Sequence, residues 1–266
     1  MTSKISQTDA ARPDGRALDA LRPVEMVTGF HRCSEGSVLY RAGGTVVLCT
    51  ASIDSKVPAF LEGKGKGWLT AEYQMHPRAN PPRREQRDGR AKAISGRTQE
   101  IQRLIGRALR AAVSLDKLGE NTIAIDCDVL EADGGTRTAS ITGGFVALAL
   151  ALHKLQARGT LTAPVLRESV AATSVGYLAS DRMALDLVYT EDSAAHVDLN
   201  VVATASGSIV EVQGTAEGDP VPRKKIDAML DMGLAGILEL TVLQRDALSH
   251  AGVDLDALTI RGAHRS

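Results

Sequence analysis

Short β-rich runs come in clusters along this chain, and each cluster is followed by a stretch with helical spacing. That order constrains the fold more than any other feature, because strands grouped ahead of helices read as α+β architecture. From Val24 the runs VEMVTGF, GSVLYRA and TVVLCTASI follow one another, with a hairpin signal at Gly43-Gly44, and WLTAEYQM adds a further strand. Apolar residues at 101, 104, 105, 108, 109, 112 and 113 then predict a helix. The theme returns with the strand NTIAIDCDVL and the Ala/Leu-rich helix TASITGGFVALALALHKLQ. Strands follow around 168–178, 182–189, 197–205 and 208–214, then a final helix from about 222 to 250. We expect two similar ββ…α halves packed face to face, about 13–158 and 159–251. Residues 1–12 read as a polar, flexible tail, and 252–266 as a C-terminal tail with no assigned structure.

Aromatic residues make up 3% of the 266, so the core must be aliphatic, and RNA binding through stacked aromatic platforms is disfavoured. A net charge of −1 does not exclude nucleic acid, because binding needs a local basic patch rather than a basic protein. Cys33, Cys49 and Cys127 lie in strand-like runs without metal-type spacing and are expected to be small buried thiols. No apolar run reaches the ~18 residues of a membrane span, and the N-terminus lacks a signal-peptide core. The expectation is a reducing, cytoplasmic setting.

One segment concentrates chemical potential: Ala132-Asp133-Gly134-Gly135-Thr136-Arg137-Thr138-Ala139-Ser140 leaves an apolar strand and opens a long helix. The glycines permit a tight turn, the hydroxyls offer caps, and the helix start presents N–H donors beside the charge of Arg137. An anion site and a simple helix cap after a turn fit these residues equally. Gly96-Arg97-Thr98 opens another helix in the same manner, and two basic helix starts suit one shared phosphate. The Gly63–Gly67 run is not a P-loop, since Trp68 follows it where the motif requires Lys-Ser/Thr spacing.

Asp192 and Asp198 stand six residues apart, and an extended segment would place both on one strand face with Asn200. Two carboxylates beside an anion site repel it unless a cation intervenes, which points to Mg²⁺. Taken alone, the pair also fits a solvated acidic turn. Asp126 and Asp128 are read as structural, and His196 has the wrong strand parity to join Asp198. Finally, residues 78–110 hold ten Arg or Lys against three acids, in a Pro-broken loop running into a helix. A solvated surface is the bland explanation; contact with RNA phosphates is the other.

These motifs together resemble the ribonuclease PH family nearly end to end, from Arg12-Pro13-Asp14-Gly15-Arg16 to about Leu248. The resemblance is carried by Glu35-Gly36-Ser37-Val38, Gly67-Trp68-Leu69-Thr70-Ala71-Glu72-Tyr73 and Gly96-Arg97-Thr98-Gln99-Glu100-Ile101-Gln102. It is also carried by the Ala132–Ala139 run, Glu191-Asp192-Ser193-Ala194-Ala195 and Glu211-Val212-Gln213-Gly214-Thr215-Ala216-Glu217-Gly218. It implies two ββαβ-like halves of the ribosomal-protein domain-2-like fold, with mixed sheets, helices and a left-handed βαβ crossover, an exception to the usual hand. It further implies a phosphorolytic exoribonuclease acting on tRNA precursors and other structured RNA 3′ ends, with inorganic phosphate as co-substrate, Mg²⁺ as cofactor and a homohexameric trimer of dimers. By the match, Arg97, Gly135, Thr136 and Arg137 hold phosphate, Asp192 and Asp198 are the catalytic and metal-binding carboxylates, and Arg78, Arg83, Arg84 and Arg87 face RNA. Two rival classes stay in view: a ring subunit that grips RNA without cutting it, and a small-molecule phosphate enzyme.

Overall fold

The computed structural model describes residues 12–82, 84, 86 and 93–261. The first half builds a five-stranded sheet in the order β1-β2-β3-β5-β4. Its strands are β1 (Val24–Thr28), β2 (Gly36–Ala42), β3 (Thr45–Asp54), β4 (Trp68–Met75) and β5 (Thr122–Glu131). The first three form an antiparallel meander, and β5 joins β3 antiparallel, with Cys49 opposite Cys127. β4 runs parallel to β5, connected through helix α1 (Gly96–Ala112), the crossover to which the resemblance ascribes a left hand.

Helix α1 forms where the apolar period indicated. Ile101, Leu104, Ile105, Ala108, Leu109 and Ala112 are its buried residues, spaced to fall on one face. Helix α2 (Thr136–Ala157) is different, because every residue from Thr138 to Ala149 is buried. A helix covered on all faces belongs at the centre of a fold. It touches β1, β2, β3 and β5 of the first sheet, two strands of the second, and three other helices. Its length and composition would also suit a membrane span, but 83% of its most apolar 18-residue window is buried inside the protein. Gly36 allows this closeness: a Cβ there would lie 1.9 Å from the Ala147 carbonyl oxygen of α2.

The second half forms a four-stranded sheet, β7-β6-β8-β9, antiparallel throughout. Its strands are β6 (Val170–Leu178), β7 (Arg182–Leu185), β8 (Val197–Thr204) and β9 (Ile209–Ala216). A one-turn helix α3 (Tyr189–Asp192) lies between β7 and β8, and the long α4 (Arg223–His250) closes the half. The core is aliphatic, as the scarcity of aromatics required; Phe145 is its one fully buried phenylalanine among the described residues.

Four expectations need correction. The strand expected over 182–189 stops at Leu185, because Asp186 takes a left-handed φ of 53° while its carboxylate accepts from Arg22. Val253, Leu255 and Leu258, assigned to the C-terminal tail, are part of the packed core. Helix α5 (Leu255–Leu258) buries Leu255 and Leu258, and the Leu258 carbonyl accepts from the Val165 and Leu166 amides. Arg12, assigned to the tail, is buried at 4% exposure. Cys33 is exposed in the bend ahead of β2, whereas Cys49 and Cys127 are buried as expected.

Candidate active site

The turn that opens α2 is held by its carbonyls. Thr45 Oγ1 donates to Gly134 O (2.7 Å) and accepts from the Asp133 amide (2.9 Å), while Arg22 Nη1 donates to Asp133 O (2.7 Å). Gly134 and Gly135 both adopt left-handed backbone, with φ of 73° and 64°. A Cβ on Gly134 would press to 2.5 Å from Leu187 O. Gly135 caps α2 without any side-chain hydrogen bond, and the start of the helix lines a cavity. Among the described residues no side chain supplies an oxygen to the first amides of α2, an arrangement compatible with an incoming anion. Helix α1 contrasts with it: Ser95 Oγ accepts from the Thr98 amide (3.1 Å), so its start is self-capped. What α1 offers the cavity is the exposed guanidinium of Arg97.

The acidic residues arrive by another route. Asp198 lies on β8, but Asp192 ends the helical turn α3 rather than extending that strand, so the extended-face argument for Asp192 is corrected. The cause is Glu191. Its carboxylate is bound bidentately by Arg12 (Nε–Oε1 2.9 Å, Nη2–Oε2 2.7 Å) and also accepts from the Val188 amide (3.2 Å). With Glu191 held inward, the chain coils and Asp192 faces the cavity.

Arg97, Gly135, Thr136, Arg137, Asp192 and Asp198 therefore all line one cavity of about 540 Å³. Arg137, Asp192 and Asp198 also line an adjoining, wider one. Burial, and then the charge of Asp198, push the Asp192 carboxyl above its ordinary range, while Arg137, Arg97 and Arg22 pull it down. The two aspartates form a pair of hard oxygen donors in a cavity that Arg97 and Arg137 also line, a donor set that suits Mg²⁺ shared with substrate oxygens. No group of three or more His, Cys, Asp or Glu that could cage a metal occurs among the described residues.

The basic loop leaves from the rim of this cavity. Asn80 and Gln86 line it, and the Ala79 carbonyl accepts from Ala132 beside the α2 turn. Arg78 is exposed and donates to Pro82 O (2.9 Å), and Arg84 is also exposed. Arg83 and Arg87 lie outside the described residues. His196 is exposed beside Tyr177, away from the cavity lining.

Sequence reasoning missed several participants. Tyr73 shares a hydrogen bond with Thr136 Oγ1 (2.9 Å) on the cavity wall. Arg22 and Asp186 form a buried bidentate pair behind the turn (Nε–Oδ2 3.0 Å, Nη2–Oδ1 2.6 Å). Asp133 Oδ1 accepts from the Tyr189 amide (3.1 Å), tying the anion turn to α3. Asn200 was recognisable, since strand parity with Asp198 already placed it on the cavity face.

Comparison with known proteins now decides the family. Residues 20–153 match the model of the 3′ exoribonuclease family, domain 1, of the RNase PH type, and residues 168–236 match domain 2. The chain belongs to the RNase PH family of 3′ exoribonucleases. Solved structures of similar fold include rice (Oryza sativa) Rrp46, with a TM-score of 0.72 and 18% identity over 90% of this chain and 100% of that one. The Archaeoglobus fulgidus exosome with RNA bound to the active site matches at TM-score 0.70 and 21% identity, over 87% and 91% of the two chains. An archaeal exosome core matches at 0.68 and 19%, over 88% and 91%. At these identities the structural likeness speaks for the RNase PH fold. The family's two domains coincide with the two sheets described above, and the cavity lies where residues of both converge.

Proposed function

We propose that this RNase PH family member is a phosphate-dependent 3′–5′ exoribonuclease that trims the 3′ ends of tRNA precursors, and of other structured RNAs including rRNA. Terminal nucleotides pass to inorganic phosphate and leave as nucleoside diphosphates; the reverse reaction adds nucleotides. The observation that carries the reading is the single cavity in which a cationic anion-binding wall faces two aspartates.

Arg97, Thr136 and Arg137 bind free phosphate and orient one of its oxygens toward the last phosphodiester. That oxygen forms the new P–O bond as the bond to the 3′ oxygen of the preceding nucleotide breaks, and the freed 3′ oxygen takes up a proton. Such transfer depends on positioning and charge stabilisation, both of which these residues supply. Mg²⁺ held by Asp192 and Asp198 would offset charge on the scissile group and the leaving oxygen. Arg78, Arg83, Arg84 and Arg87 would grip the RNA backbone outside the cavity. The assembly proposed is a homohexamer, a trimer of dimers, working in the cytoplasm without membrane attachment.

The likeness to exosome proteins favours one alternative, a ring subunit that binds RNA without cutting it. The complete set of phosphate and carboxylate residues argues against that. Incubating 3′-labelled tRNA precursor with and without phosphate distinguishes them. Phosphate-dependent release of nucleoside diphosphate supports the enzyme; RNA binding with no release supports the subunit.

A further inference from the structure

The run Glu211-Val212-Gln213-Gly214-Thr215-Ala216-Glu217-Gly218, on β9 and just past its end, is absent from the mechanism above, although part of it reaches the proposed catalytic face. Glu211 joins Arg107 of α1 bidentately, with Nε–Oε2 at 2.8 Å and Nη2–Oε1 at 2.5 Å. Its Oε1 also accepts from Gln213 Nε2 at 3.0 Å. That contact fixes which way round the Gln213 amide sits. Flipped, its oxygen would meet the Glu211 carboxylate, two acceptors face to face. The amide oxygen is therefore left to accept from Arg137 Nη1, at 3.4 Å. On the other side, Glu100 Oε2 stands 3.7 Å from Arg137 Nη2.

We infer that Gln213 is a positioning residue, held one way round by the Arg107–Glu211 pair, that aims the Arg137 guanidinium into the phosphate cavity. This rests on the reading of Arg137 as a phosphate ligand. The chemistry explains why an amide stands there. A neutral acceptor steers the guanidinium without adding to the negative charge that Glu100 already sets beside it, and a long contact is easily exchanged when a stronger acceptor arrives. A carboxylate in the same place would compete with phosphate. The arrangement also couples the halves at the site, since α1 and β9 come from different family domains.

Steady-state phosphorolysis of a 3′-labelled RNA, with KM measured separately for inorganic phosphate and for RNA, tests this. Gln213→Leu should raise the phosphate KM about five- to tenfold, the size of one ordinary lost hydrogen bond, with the RNA KM moving less than about twofold. Gln213→Glu, which keeps an acceptor but adds charge, should raise the phosphate KM further. In an Arg137→Ala background, Gln213→Leu should add nothing, because its effect passes through Arg137. Thermal melting of each variant checks that folding is intact. If Arg137→Ala alone leaves the phosphate KM unchanged, the underlying assignment of Arg137 fails. If Arg137→Ala raises it but both Gln213 variants match the wild type, the inference about Gln213 is overturned. It is overturned equally if Gln213→Leu exerts its full effect without Arg137, or raises the RNA KM as much as the phosphate KM.

Discussion

The two walls of the proposed active-site cavity are held in place by different physics. The anion turn is contiguous in sequence: Asp133-Gly134-Gly135 and the start of α2 are consecutive residues, braced from behind by Thr45 and Arg22, and α2 itself is fixed by burial on every side. The acid wall is remote in its support. Asp192 sits where it does because Glu191 is held by Arg12, 179 residues away in sequence, and because Asp186 is held by Arg22, 164 residues away. Left-handed backbone dominates one wall and buried ion pairs the other, with Arg22 shared between them, so the two should fail in different ways.

Arg12→Ala is the sharpest way to break the acid wall. The Arg12 and Glu191 side chains are 1% and 5% exposed, and removing one partner leaves a buried charge uncompensated. Such a change costs about 3–5 kcal/mol, measurable by urea denaturation, and activity should fall with it. Replacing both partners by apolar residues, as in Arg12→Met with Glu191→Leu, should recover most of the stability. It should not recover activity, since α3 would lose the contact that coils it. Full recovery of both would show that the pair does not place Asp192.

Arg97→Ala probes the anion wall by charge alone. Arg97 is exposed, so stability should stay near wild type, while phosphate-dependent turnover falls about a hundredfold, the equivalent of roughly 3 kcal/mol of charge stabilisation. Near-normal turnover at subsaturating phosphate would remove Arg97 from the site. Gly135→Ala probes the same wall by backbone. A φ of 64° and a Cβ 2.9 Å from Arg22 Nη2 should cost of order 1–2 kcal/mol and raise the phosphate KM. If Gly135→Ala melts like wild type, the turn is not what fixes this wall.

The same contrast explains what could be read from the sequence. The turn opening α2 was visible as nine contiguous residues that fit an anion site or a simple cap equally, and most strands and the long helices follow from apolar spacing. The extended reading of Asp192 failed because no local period records a partner as distant as Arg12. The strand at 182–189 failed for a related reason, since the left-handed turn at Asp186 depends on Arg22. Helix α5 is four residues long, too short for a period to show, and it is held by carbonyl contacts to the strand-linking segment at 165–166. Gln213 and Tyr73 were inside recognised motifs, but their roles depend on which neighbour each side chain meets across the sheet and helix.

A second pair of acids offers a control for the first. Asp126 and Asp128 share a face of β5, where alternate residues Ile123, Ile125, Cys127 and Val129 are buried. Burial first, and then the Asp128 charge, push the Asp126 carboxyl above its ordinary value. Its folded pKa thus exceeds its unfolded one, and at neutral pH the charged form opposes folding. As pH falls through the folded pKa, the folded protein takes up the proton more readily, and that penalty disappears. Asp126→Asn should therefore raise the Tm near neutral pH by roughly 1 °C, as expected for a small change of a few tenths of a kcal/mol in a protein this size. The difference from wild type should shrink as pH drops toward the carboxylate range, with phosphorolysis unaffected. A stability gain that grew at acidic pH would reverse the assigned sign. Loss of phosphorolysis in Asp126→Asn would show that both acid pairs, and not only Asp192 and Asp198, serve the reaction.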